Sequence, residues 1–446
     1  MKNVKIKKIT KEISETLSFP GDKSLSHRAI IFGSLAEGVS EFQNVLEGED
    51  CVCTREAFAG MGVKIGASDG GRMRIEGQGL RSLKAPSKEI YCGNSGTSMR
   101  LLLGVLAGQP FQSVLTGDPS LSSRPMRRVT DYLKKMGAGI DGKDNANYAP
   151  LTVKGRNLEA IGANLPVSSA QVKSALLLAG LYARGETRVT EPEKSRDHTE
   201  RFLKFFGAKV KEEGLTTSIE GGQKLEARSF EIAGDISGAA FFMAMAALIP
   251  VSKVSFRGVL WNPTRTGVVE VLKRMGVEFQ NLSVKNNGPE FAADFAIHGG
   301  AGFPRPGEEI SPLRSFEINK NELPSLIDEI PILTVLATQA EGTSVIHDAD
   351  ELRVKETDRI DSMVGSLSKM GAKIWVKGNT LYVEGPTPLK GAVVNSFKDH
   401  RTAMSLIVAG MIAKGETGVE DVECVRTSFP AFFELLGKLG VPYQFC

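Results

Sequence analysis

The sequence predicts an α/β protein built from six related units, three to a domain, and three observations carry that expectation. The first is a phrase that recurs along the 446 residues: a helical apolar pattern closing on a large apolar residue, then glycine, then a short β-like run. It reads AGMGVKI, LKKMGAGI, LKFFGAKV, LKRMGVEF, LSKMGAKI and LGKLGVPY, with glycines at Gly62, Gly137, Gly207, Gly276, Gly371 and Gly440. Glycine at such a place ends a helix by taking the left-handed conformation, so each phrase marks a helix-to-strand junction. The second observation is their spacing of 75, 70, 69, 95 and 69 residues, a near-constant period with about 25 additional residues between Gly276 and Gly371. The third is an alternating set of more apolar helical patterns: HRAIIFGSLAEG, MRLLLGVLAGQ, VKSALLLAGLYARG, GDISGAAFFMAMAALIP, PILTVLATQAEG and MSLIVAGMIAKG. Each is followed by β-rich sequence such as VSEFQNV, TRVTEP or TSVIHDA.

Taken in order, each unit reads strand, buried helix, strand, outer helix, strand, strand. The N-terminal MKNVKIKKIT adds a strand, because Val4 and Ile6 alternate with lysines, and it lacks the apolar core of a signal peptide. The longest apolar run, residues 238–251, is shorter than the roughly 20 residues that span a bilayer. Neither export nor a membrane is expected.

Composition narrows the function. The chain is long enough for roughly two or three domains, and 55 basic against 52 acidic residues leave a net charge of only +3. Binding a long polyanion calls for a basic excess or dense basic runs, and beyond the short KIKK neither is present. Anionic small molecules need only local positive charge. Cys51, Cys53, Cys92, Cys424 and Cys446 are odd in number and fit a reduced, cytoplasmic setting. Cys51-x-Cys53 lacks two further ligands at suitable spacing, so a metal site is not expected.

The local charge lies at helix starts. Buried helices begin at GDKSLSHR, GNSGTSMR, SSAQVK, GDISG, IDEIP and KDHR; outer helices begin at SSRPMRR, SRDHTER, NPTRTG, KETDR and SFP. A helix N-terminus offers free N–H groups and partial positive charge, which favours an anion. Ser, Asp and Asn there are ordinarily caps, whereas cations in a first turn oppose the dipole. Lys23, Arg28, Arg124, Arg128, Arg196, Lys355, Arg359, His400 and Arg401 are read as lying at such starts. A Walker A loop is excluded, because its two glycine positions before Lys23-Ser24 hold Leu17 and Asp22.

GDKSLSHR, GNSGTSMR, SLSSRPM, SSAQVKSALLLAG, IDEIPIL, LRVKETDR and DHR, in this order over nearly the whole chain, closely resemble the 5-enolpyruvylshikimate-3-phosphate synthase family. The resemblance implies a two-domain inverse α/β barrel-like fold of six βαβαββ repeats, with the active site in the interdomain cleft and closure on substrate. With the repeat analysis it sets the domains at 20–233 and at 1–19 plus 234–446. It implies transfer of the enolpyruvyl group of phosphoenolpyruvate to the 5-hydroxyl of shikimate 3-phosphate, without a cofactor, in a cytoplasmic monomer that binds no nucleic acid.

By similarity, Asp328, Glu356 and Lys23 are catalytic. Asp328 is the base toward the 5-hydroxyl, and Glu356 is the acid and then the base at the methylene carbon. Shikimate 3-phosphate falls to Lys23, Ser24, Arg28, Ser169, Gln171, Arg196, Asp328 and Lys355. Phosphoenolpyruvate falls to Lys23, Asn94, Gly96, Thr97, Arg124, Gln171, Arg359, His400 and Arg401. The bland alternative for Asp328 and Glu356 is helix capping. His27 reads as a packing residue beside the site.

The chain departs from the family pattern in three places. Ala170 stands where many members have a second serine before the glutamine; Thr427 in RTSFP stands where many have lysine; and Arg196 stands where others have tyrosine. Gly96, rather than a larger residue, favours sensitivity to glyphosate, the family's phosphoenolpyruvate-site inhibitor. Two rival readings are a UDP-N-acetylglucosamine enolpyruvyltransferase, whose usual acid is a loop cysteine, and a non-enzymatic α/β-repeat clamp on nucleic acid. Cys92 reads as a buried structural thiol in an apparent strand, and the balanced charge disfavours the clamp.

Overall fold

A computed structural model describes residues 2–66, 70–250, 252–299 and 312–446. Six pairs of helices carry the repeat. The inner set is Lys23–Leu35, Gly96–Ala107, Ala170–Gly180, Ile236–Leu248, Ile330–Ala337 and His400–Ile412; the outer set is Glu49–Gly60, Arg127–Lys135, His198–Phe205, Gly267–Arg274, Arg359–Lys369 and Phe432–Lys438. Each outer helix ends on a buried apolar cap, Met61, Met136, Phe206, Met275, Met370 or Leu439. The glycine after each cap has φ of +89°, +104°, +93°, +95°, +90° and +69° in turn. The six recurring glycines therefore do end helices in the left-handed region, where a side chain is strained.

Six four-stranded sheets accompany the helices, and one shows the plan for all. Ile90–Tyr91 pairs in parallel with Gln112–Thr116 across the inner helix Gly96–Ala107, as a βαβ crossover requires. Beyond the outer helix, Gly139–Gly142 and Tyr148–Lys154 form a hairpin, and the latter strand pairs antiparallel with Gln112–Thr116. Three strands do not come from the stretch they complete. Val4–Lys7 pairs with Glu416–Glu420 and Tyr443–Phe445 and completes the sixth sheet, while Ser14–Ser18 pairs with Lys253–Leu260 in the fourth. Phe230–Glu231 pairs with Glu37–Gln43 and supplies the first. The long interval after Gly276 contains a hairpin of two nine-residue strands, Phe279–Asn287 and Glu290–His298.

Two compact units result. One comprises residues 1–20, 234–285 and 291–446, and the other comprises 21–233 together with 286–290. The inner helices form the cores; in Ile236–Leu248 every residue but the last is buried. Gly104 shows how closely they approach, since a Cβ there would lie 2.2 Å from the carbonyl oxygen of Ala175. Helices 96–107 and 170–180 thus touch backbone to backbone, and any larger residue at 104 would force the two helices apart. Among the described residues no helix is long and apolar enough to cross a membrane.

Candidate active site

In the unit of residues 21–233, Asp22, Ser95 and Ser169 cap three inner helices by accepting from the backbone N–H of Leu25, Ser98 and Val172 at 3.0, 3.1 and 3.4 Å. Side chains then tie these starts together. Arg28 is buried and donates through Nε to Thr199 Oγ1 at 2.8 Å, through Nη2 to Ser174 Oγ at 2.9 Å and through Nη1 to the Ser24 carbonyl at 3.0 Å. Burial pushes its guanidinium down to about 10, opposed by Glu200, Asp22 and Glu290 and assisted by Arg196. Gln171 donates to Thr97 Oγ1 at 3.0 Å and accepts from Arg100 Nη1 at 2.7 Å, which fixes which end of its amide faces which way. Arg124 donates to Asn94 Oδ1, and the Asn94 amide donates to Asp118 at 2.9 Å. Lys23 Nζ lies 3.1 Å from Asp50.

Burial and donor number explain His27. Its Nδ1 meets Thr54 Oγ1 at 2.8 Å, Thr54 meets Ser98 Oγ at 2.7 Å, and Ser98 reaches Ser95 Oγ at 2.8 Å, giving a hydroxyl chain across three helices. Burial first, then Lys23 and Arg28, lower its pKa to about 3. Below its free value near 6.5 the unfolded chain binds a proton that the folded protein refuses, so stability present above pH 6.5 is lost as pH falls toward 3. The cost is roughly 1.4 kcal/mol per pH unit. His27→Gln is expected to flatten the acid limb of denaturant midpoint against pH over that window; parallel limbs for the two proteins would contradict this.

In the other unit the centre is Arg359, whose side chain is 2% exposed. It donates through Nε to Asp399 at 2.9 Å, through Nη1 to Asp328 at 3.2 Å and through Nη2 to Glu356 at 2.5 Å. Burial works against its charge, but Asp399, Glu356 and Asp328 together outweigh burial and hold its pKa above the ordinary value. Asp399, fully buried, also caps the helix His400–Ile412 by accepting from the N–H groups of Arg401 and Thr402 at 2.8 and 3.0 Å. Arg401 donates to the Asp328 carbonyl at 3.1 Å, with its Nε 3.6 Å from Asp328 Oδ1. Lys355 is half-buried; burial lowers its pKa, against Asp328 and together with Arg359.

The capping alternative for the two carboxylates fails. Asp328 precedes Glu329, the residue flanking helix 330–337, and the cap of helix 359–369 is Asp358, which accepts from Ile360 and Asp361. The reading of cations in first helical turns is corrected for four residues. Arg28 lies a turn and a half into its helix, and Arg124, Arg196 and Lys355 lie in the connections before theirs. They approach the starts from outside the helical turn, so the dipole penalty that singled them out does not apply to them. Thr427 offers no cation and donates to the Cys424 carbonyl at 2.7 Å. Cys92 is buried, its thiol pushed up by burial and then by Cys53. Asp197, His198 and Glu290 are the one group of three possible metal ligands among the described residues, and Arg201 already lies 2.9 Å from Asp197 and 3.7 Å from Glu290.

Sequence reasoning missed Asp50, Arg100, Asp118 and Asp399. Asp399 stands in the quoted DHR, and Asp50 in the acidic start of helix Glu49–Gly60, but their partners are remote in sequence.

Helix starts, buried arginines and two carboxylates that share one guanidinium define an α/β-repeat enzyme of the group-transfer class that works on anions. The model of the EPSP synthase (3-phosphoshikimate 1-carboxyvinyltransferase) family matches residues 7–436, and the chain belongs to that family. A 3-phosphoshikimate 1-carboxyvinyltransferase of Bacillus thuringiensis subsp. konkukian is 48% identical over 440 residues, covering 99% of this chain and 100% of the relative. One of Bacillus cereus is 47% identical with the same coverage. An EPSP synthase structure from Acinetobacter baumannii covers 100% of this chain and 99% of its own at 42% identity, with a TM-score of 0.88. The resemblance drawn from the motifs holds, and neither rival reading is favoured.

Proposed function

We propose that the protein transfers the enolpyruvyl group of phosphoenolpyruvate to the 5-hydroxyl of shikimate 3-phosphate and releases phosphate. The observation that carries this reading is that Asp328 and Glu356 share the guanidinium of Arg359, with Arg401 and Lys355 close by. In the addition step the hydroxyl oxygen bonds to C2 of phosphoenolpyruvate, its proton passes to Asp328, and Glu356 protonates the methylene carbon. In the elimination step the C2–O bond to phosphate breaks, the phosphate leaves with the proton that Asp328 took, and Glu356 takes a proton back from the new methyl group, so both carboxyls return to their starting states.

Ser24, Arg28, Ser169, Gln171, Arg196, Asp328 and Lys355 hold shikimate 3-phosphate in this reading. Asn94, Gly96, Thr97, Arg124, Gln171, Arg359, His400 and Arg401 hold phosphoenolpyruvate, and Lys23 meets both. Two anions brought together need fixed cations and oriented N–H groups to offset their repulsion. The protein acts as a monomer in the cytoplasm.

Phosphate release from phosphoenolpyruvate, followed with and without shikimate 3-phosphate, tests the reading. Release that depends on the acceptor is expected. Release without acceptor, or none with it, would overturn the assignment.

A further inference from the structure

Beneath the start of helix 170–180 lies a charged group that the chemistry does not use. Lys173, its side chain 3% exposed, places Nζ 2.6 Å from Glu191 Oε2 and 2.8 Å from Glu200 Oε1, and both glutamates are equally buried. With Arg28 nearby, the set holds two cations and two carboxylates. Burying such charges is costly, and an apolar trio of similar volume often folds as well or better, so stability alone is a poor account of them.

Their hydrogen bonds suggest a different purpose. Glu191 Oε1 accepts from the backbone N–H of Ser169 at 3.1 Å, and its Oε2 accepts from that of Ser195 at 3.4 Å. Ser169 is the cap of helix 170–180, and Ser195 immediately precedes Arg196. Glu200 follows Thr199, which accepts from Arg28 Nε at 2.8 Å and donates to Ser174 at 2.7 Å. Lys173 therefore joins two carboxylates whose segments carry Ser169, Arg196 and the partner of Arg28.

Resting on the function proposed above, we infer that Lys173, through Glu191 and Glu200, is the positioning residue for the phosphate ester of shikimate 3-phosphate. It fixes the spacing of Ser169, Arg28 and Arg196 without touching the ligand. None of its bonds reaches Asn94, Arg124 or Arg359, and the helix it braces brings only Gln171 to both substrates, so its larger influence is on shikimate 3-phosphate.

The test uses the full chain as wild type, as Lys173→Met, and as the apolar triple variant Lys173→Met/Glu191→Leu/Glu200→Leu, which removes Lys173 together with both of its partners and leaves Arg28 to Asp22 and Glu290. Calorimetric Kd for shikimate 3-phosphate and the KM for each substrate are measured, with thermal midpoints as the check on folding. In the triple variant the Kd and KM for shikimate 3-phosphate are expected to rise about tenfold or more, equivalent to one lost positioned contact. The KM for phosphoenolpyruvate should stay within about threefold, and a Lys173→Met protein that folds should show the same split. A folded triple variant that binds shikimate 3-phosphate as tightly as wild type, or one in which both KM values rise equally, overturns the inference. Wild-type protein that fails to bind shikimate 3-phosphate overturns the proposed function instead, and this inference with it.

Discussion

Replacing Asp328 by asparagine is expected to lower kcat by roughly 10² to 10⁴-fold, the usual range for loss of a positioned general base. The KM values should not rise with it. Asp328 Oδ1 lies 3.2 Å from Arg359 Nη1 and 3.6 Å from Arg401 Nε, and asparagine keeps the size and one acceptor while removing the charge and the basicity. The site then carries one more unit of net positive charge, which favours anionic ligands. Reduced turnover with unchanged or tighter binding is the signature of a lost proton acceptor, whereas a structural role would raise KM as well. Steady-state kinetics on purified protein decides between them. A variant that turns over like wild type removes Asp328 from the mechanism.

Arg359→Met should have the larger effect on stability. The guanidinium answers three carboxylates at once, and without it the fully buried Asp399 has lost the one ion-pair partner resolved for its Oδ2. Breaking a buried ion pair from one side costs roughly 3–5 kcal/mol. Denaturant unfolding at neutral pH checks this, and a variant as stable as wild type would mean that Asp399 is satisfied in another way. Arg359→Lys is expected to rescue little, because a single ammonium cannot reproduce three directed N–H bonds.

The fold was legible where a local rule is strong. A left-handed residue after an apolar helix cap demands glycine, so six helix ends could be found by eye, and all six glycines have positive φ. The borrowed strands were not legible. Val4–Lys7 reads as a strand from its alternation, but pairing with residues more than four hundred positions away is decided by tertiary closure. The site divides in the same way. Residues at capped starts could be found because capping is local, while Asp50, Asp399 and the Lys173 group serve partners distant in sequence. Arg28, Arg124, Arg196 and Lys355 were reached for a reason that the structure corrects: dipole opposition pointed to them, yet they stand outside first helical turns.

The central claim is that Glu356 gives a proton to the methylene carbon of phosphoenolpyruvate and later takes one back. Running the transfer in deuterium oxide and examining the product by proton and deuterium NMR tests it directly. A methyl group that forms with one solvent deuteron and then rotates freely loses a protium in part of the turnovers. Wild-type protein is therefore expected to leave deuterium in the enolpyruvyl methylene group, only when shikimate 3-phosphate is present, and Glu356→Gln to abolish both the label and the product. Product formed at the wild-type rate with no deuterium on the methylene carbon would contradict the account.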